Sequence, residues 1–226
     1  MKKTTSLARL VADGPAVRYL REHGAEKNYA ICAYVDQLPA DSDAFLWPPG
    51  SPFRKLGWVD GYRREGQTVV IETVRHYPVL VGKLVLWNTL RQLPMVNNWY
   101  GLAPYLGTSH PTDAIREYVP GDFTAYASSR QSQNTLGLKG FNQVHRLVLA
   151  LCLPLAAAAL WFCLKRRQFL PVLFLAALTG AYGLSAFITA ALSGPHNRYG
   201  SRLIWLLPFF CVASILYVIR HHRRQA

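Results

Sequence analysis

The chain has 226 residues, 51% of them hydrophobic, and a formal net charge of +13, with a mean hydropathy of only +0.09 and a pI near 9.9. Such averages would suit a basic soluble protein, but the distribution does not: all 12 acidic residues lie at or before Asp122, and the last 104 positions contain none. The eight basic residues after position 146 sit in three clusters, each at the end of an apolar run. Membrane insertion leaves Lys and Arg there, whereas a nucleic-acid face would spread them over a patch, so no nucleic-acid partner is expected.

The N-terminus, "MKKTTSLARLVADG", carries two lysines but no apolar stretch of the length a signal peptide needs, so it is not read as one. "DGPAVRYLREHG" predicts a helix, with Asp13 near the N-cap, Pro15 in the first turn and Gly24 just past the end. Tyr29 to Tyr34 is either a short strand or a buried turn, and periodicity does not separate the two. "LPADSDAFLWPPGSP" predicts a loop with one helical turn around Ala44. Its close acids Asp36, Asp41 and Asp43 are read as solvated loop charges. Gly57 to about His76 is helix-compatible, with Trp58, Tyr62, Val69 and Val70 as packing residues.

Residues 78–94 carry charge only at Lys83 and Arg91, and Leu80, Leu84 and Trp87 recur at helical spacing. Two readings stand side by side: a helix lying in the membrane interface, or a core helix of the polar domain. Residues 95–109 form an aromatic loop in which Trp99, Tyr100 and Tyr105 either dip toward headgroups or pack. One or two short helices are expected before the first span.

Three apolar runs follow, at 147–164, 169–192 and 203–219, each long enough to cross a hydrocarbon core of about 30 Å. Pro154, Pro171 and Pro208 are tolerable within them because neighbouring helices can satisfy the freed carbonyls. The fold class expected is mainly α. A helical extramembrane domain, residues 1–144, precedes a three-span membrane domain, residues 145–226.

"KRRQ" at 165–168 and the basic tail from Arg220 are assigned to the cytoplasm by the positive-inside rule. An odd number of spans then puts residues 1–144 and the "SGPHNRYGSR" loop outside. Export of such a domain without a signal needs another route, and the chain is read as the C-terminal part of a longer polytopic protein. The alternative is that the domain stays cytoplasmic.

Chemistry-bearing motifs are sparse. Cys32 stands alone in the polar half, and Cys152, Cys163 and Cys211 lie in apolar runs as small hydrophobes, so neither disulfides nor a metal site are expected, and no cofactor. There is no phosphate-binding glycine loop and no nucleophile elbow, and no catalytic residue is assigned. The best constellation is His196, Arg198, Tyr199 and Arg202, with His145 and Arg146 on the same expected side. Arg198 and Arg202 are four apart and would share a helix face, and guanidinium forks bind phosphate bidentately. The group is therefore either a receptor for an anionic lipid headgroup or a set of snorkelling interfacial anchors.

"SGPHNRYGSRLIWLLPF", preceded by "FNQVHRLVLAL", resembles the C-terminal end of multi-pass bacterial inner-membrane proteins of the GT-C glycosyltransferase type, in which a late span starts with "RY" before "LLP" or "LP". Arg198, Tyr199 and Leu206 to Pro208 match, with several residues inserted between the two halves. The resemblance covers about 80 residues. It implies a polyprenyl-phosphate-linked sugar as substrate at the external face, catalytic acids in a first external loop, and many upstream spans. This chain lacks the last two, so the resemblance leaves it a binding or structural role, with membrane lipids and other membrane proteins as partners. A membrane anchor carrying a protein-interaction domain is the alternative.

Overall fold

The computed structural model describes residues 2–48, 50–98, 102, 104 and 110–223. Trp99, Tyr100 and Tyr105 of the expected aromatic loop lie outside the described residues. Twelve α-helices and two 3₁₀ segments account for the regular structure, with no strand among the described residues. Three helical stretches near the C-terminal end are long and apolar enough to cross a membrane, which makes this a membrane protein of mainly α class. The contacts divide the chain into two units, Met1–Pro94 with Ala181–Tyr199, and Met95–Gly180 with Gly200–Ala226.

The first unit is built around α1 (Lys2–Ala12), which packs against α2 (Pro15–Lys27), α3 (Ser42–Leu46) and α5 (Trp58–His76). Leu7, Ala8, Leu10 and Val11 are all buried, so the apolar surface of α1 spans more than one face and the helix is enclosed rather than half-solvated. Tyr19, Ile31, Phe45, Tyr62 and Val69 complete the core. Each such side chain contributes about 1.5–3 kcal/mol when fully buried.

Two local signals in α2 do different work from that expected. The N-cap is Gly14, at φ 98°, with no side-chain cap, because the Asp13 carboxylate is taken by Arg9 at 3.1 Å and by the Asn88 amide at 2.9 Å. Gly24 does not end the helix. It lies inside, where an added Cβ would come within 2.4 Å of Cys32 Sγ, so glycine is there for close approach. The stop is Asn28, in the left-handed region at φ 51°.

The stretch from Tyr29 resolves as a 3₁₀ helix, Ala30–Gln37, whose first amides at Ala30 and Ile31 donate to the Glu65 carboxylate at 3.0 and 3.1 Å. Asp41 caps α3 by accepting from the Ala44 amide at 2.7 Å, Asp43 accepts from the Trp47 indole at 3.0 Å, and Asp36 pairs with Arg21 at 3.1 Å. After α4 (Pro52–Lys55), α5 runs to His76 and α6 spans Pro78–Gln92.

In the second unit, α7 (His110–Tyr118), a 3₁₀ turn at Pro120–Asp122 and α8 (Phe123–Ser128) precede α9 (Leu138–Lys165). At 28 residues, α9 starts nine positions before the apolar run and is about 42 Å long. Leu149, Cys152 and Ala156 form a stripe that meets Leu207, Phe210 and Cys211 of α12 (Leu206–Arg223). Small residues let the two backbones approach, and Cys211 Sγ donates to the Cys152 carbonyl at 3.4 Å.

The second span, α10 (Phe169–Leu192), matches the expected bounds. The third differs. Its helix starts at Asn197 as α11 (Asn197–Ile204), breaks at Trp205 and resumes as α12. The cause is Pro208, whose ring collides with the carbonyl four residues earlier, that of Ile204, and which has no amide to bond it. The Trp205 indole satisfies one loose end by donating to the Arg202 carbonyl at 2.8 Å.

Candidate functional site: a latched loop at the end of the second span

Polar groups converge on the end of α10 from two helices of the first unit. Arg9, on α1 and 2% exposed, donates to the Ala191 carbonyl at 3.2 Å. A cation is favourable there because the last carbonyls of a helix carry its negative dipole end. Burial pushes the Arg9 guanidinium below its ordinary pKa, opposed by Asp13, and burial raises the Asp13 carboxyl, opposed first by Arg9 and then by Asn88 and Arg91. Both partners report desolvation outweighing attraction, as expected for a pair taken out of water.

The loop itself begins with Ser193 and Gly194, whose amides both donate to the Thr189 carbonyl, at 2.8 and 3.0 Å, with Gly194 at φ 89°. Two residues on, the Gln92 side chain of α6 takes hold of the backbone. Its Nε2 donates to the His196 carbonyl at 3.1 Å, and its Oε1 accepts from the His196 amide at 2.7 Å. Gln92 is 1% exposed. Tyr199 then donates its hydroxyl to Ser193 Oγ at 2.8 Å, Arg198 donates to that hydroxyl at 3.0 Å, and the Arg198 guanidinium lies 4.9 Å from the centre of the Tyr199 ring. The His196 ring meets Tyr199 edge-on at 5.9 Å.

Of the six candidate residues, the structure brings His196, Arg198 and Tyr199 together, in the first unit. Burial holds the His196 imidazole below its ordinary pKa, Asp43 and Asp41 pulling upward and Arg198 downward, so burial works against a charged ring there. Arg202, His145 and Arg146 belong to the second unit. Arg202 and Arg146 are exposed. His145 is half-buried and stacked on Phe141, with centroids 6.5 Å apart and planes at 5°, and Arg146 Nε donates to the Asn142 carbonyl at 3.3 Å.

Sequence reasoning missed Arg9, Asn88 and Gln92. A signal was present in α6, where Asn88 and Gln92 fall one turn apart in an otherwise apolar helix. The structure turns that face inward with Val81, and turns Val79, Leu86, Trp87 and Leu90 outward, at 69, 61, 59 and 53% exposure. A helix with polar residues buried and apolar ones exposed is inverted relative to a soluble domain. Tyr182, within α10, donates its hydroxyl to the carbonyl of Leu93 at 2.7 Å and so fixes the end of α6 to the span.

Among the described residues no group of three or more His, Cys, Asp or Glu is placed to hold a metal ion. No protein-family model, characterised protein or solved structure matches the chain.

Proposed function

We propose that this protein is a membrane anchor that holds a helical interaction domain against the lipid surface, and that the 193–199 loop is the latch joining that domain to the second span. The observation that carries the reading is the Gln92–His196 clamp, in which a buried side chain satisfies both backbone groups of one loop residue. Arg9 at the Ala191 carbonyl adds a second fastening. The outward apolar face of α6 supports a lipid-seated domain, and the exposed Lys83 falls at helical spacing with Val79 and Leu86 on that side. Other membrane proteins are the partners the reading implies.

The reading includes an orientation. Basic residues at 165–167 and from Arg220 favour a cytoplasmic placement, which leaves residues 1–94 and the loop on the outer side of a bacterial inner membrane. The packing of residues 1–94 with residues 181–199 supports a common side for domain and loop.

A second reading makes the protein the C-terminal portion of a GT-C-type glycosyltransferase that binds a polyprenyl-phosphate-linked sugar. The exposed Arg202 and Arg146 and the "RY" and "LLP" resemblance favour it. One experiment separates the two. The purified protein in nanodiscs is titrated with a polyprenyl phosphate, as wild type and with Arg198→Ala plus Arg202→Ala. The latch reading expects equal binding, and a tenfold or greater loss in the variant overturns it in favour of a receptor.

A further inference from the structure

Where α10 begins, Leu170, Pro171 and Phe174 line an open groove of about 280 Å³ together with Ala213, Ser214 and Tyr217 of α12. Its walls are almost wholly apolar, and all six residues belong to the second unit, within the stretches long and apolar enough to span a membrane. A groove of that kind between two spans opens onto lipid hydrocarbon, so an acyl chain can fill it without leaving its solvent.

Along the sequence, a cation lies three residues from each wall. Arg167 precedes Leu170 by three residues, and Arg220 follows Tyr217 by three, a rise of about 4.5 Å along α12. Both are exposed. The link that carries Arg167 is a fixed turn: the amides of Arg166, Arg167 and Gln168 donate to the carbonyls of Phe162, Leu164 and Cys163 at 3.0, 3.1 and 2.8 Å. Lys165 and Arg166 lie back over the Trp161 and Phe162 rings, at 5.1 and 5.4 Å. No Asp or Glu follows Asp122 in the sequence.

We infer that this groove and the cations at its mouth form a binding site for one anionic phospholipid, its acyl chain against Phe174 and Ala213 and its phosphate between Arg167 and Arg220. Basic residues serving only as topology signals require no groove, and an apolar groove serving only as packing space requires no cations. Their coincidence at one end of two spans selects a molecule with both features. The inference is independent of the latch, which lies at the other end of α10.

The test is native mass spectrometry of the full chain in detergent, titrated separately with phosphatidylglycerol and phosphatidylcholine. Wild type is expected to retain one phosphatidylglycerol at a concentration at least about tenfold below that needed for phosphatidylcholine, because each cation near a lipid phosphate contributes about a fivefold gain. Arg167→Gln with Arg220→Gln should abolish the preference. Ala213→Phe, which fills the groove and leaves the charges, should weaken retention of both lipids, with circular dichroism confirming intact helices. Equal retention of the two lipids by wild type overturns the proposal, as does unchanged phosphatidylglycerol retention in Ala213→Phe. So does a lipid-free dimer, which would make a second copy the occupant.

Discussion

Gln92 and His196 exchange two hydrogen bonds across 104 positions of sequence, one buried side-chain amide pairing with both backbone groups of a half-buried loop residue. Removing the amide takes away the partner of the His196 N–H and leaves its C=O with the Tyr199 amide at 3.1 Å, at a cost of about 1–3 kcal/mol for the group left unmet. Gln92→Leu, which keeps the volume, is therefore expected to be destabilising by about 2 kcal/mol. Amide exchange at His196 should accelerate at least about thirtyfold, read by hydrogen exchange in nanodiscs.

The Arg9–Asp13 pair predicts a coupling. Arg9→Met alone strands the Asp13 carboxylate in a partly buried site and loosens the end of α10, costing about 3–5 kcal/mol. Adding Asp13→Asn should recover part of that loss, because the orphaned charge disappears while the bond to Asn88 can be remade. Denaturant titrations of the two single variants and the double variant give the coupling energy, and strict additivity would count against a buried pair.

His196 sets a pH dependence of known sign. Its folded pKa lies below the ordinary histidine value of 6.5, so the unfolded chain binds more protons in the interval between them, and stability rises with pH there. The contribution is fully present above pH 6.5 and is lost as pH falls through the lower, folded value. Asp13 has the opposite sign. Its raised pKa makes stability fall as pH climbs from about the ordinary carboxylate value through the folded one. His196→Gln should flatten the profile just below pH 6.5 and leave the acidic limb in place, while Asp13→Asn should do the reverse.

The inverted face of α6 predicts contact with hydrocarbon. A fluorophore on Leu86→Cys should be quenched by brominated acyl chains and protected from aqueous iodide, and one on Glu26→Cys, in the exposed part of α2, should show the opposite.

Much of this architecture was readable from residue order, for identifiable reasons. The apolar run at 169–192 coincides with helix α10 because charge stops on one side and Ser-Gly-Pro begins on the other. The apolar run at 147–164 lies inside a longer helix, α9, because Phe141, Val144 and His145 continue it through early turns polar enough to look like loop. Helix α1 went unread because "SLARLVA" places apolar residues around the helix, and a buried arginine looks like a surface signal. Gly24 was misread as a stop because glycine serves both as a helix terminator and as a close-packing residue, and only the position of Cys32 Sγ decides between them. Within the candidate site, the basic and aromatic residues of the loop could be seen in sequence. The side chain that holds the loop could not, because Gln92 is distant along the chain and carries no charge.

Paired spin labels at Glu26→Cys and Leu192→Cys, both exposed positions of the first unit, give the distance between the helical domain and the end of the second span in a bilayer. A latch predicts one narrow distribution in the otherwise unaltered chain, broadened by several ångströms or more when Gln92→Ala is combined with Arg9→Met. A distribution that is already broad without those changes, or one that stays narrow with them, would contradict the account.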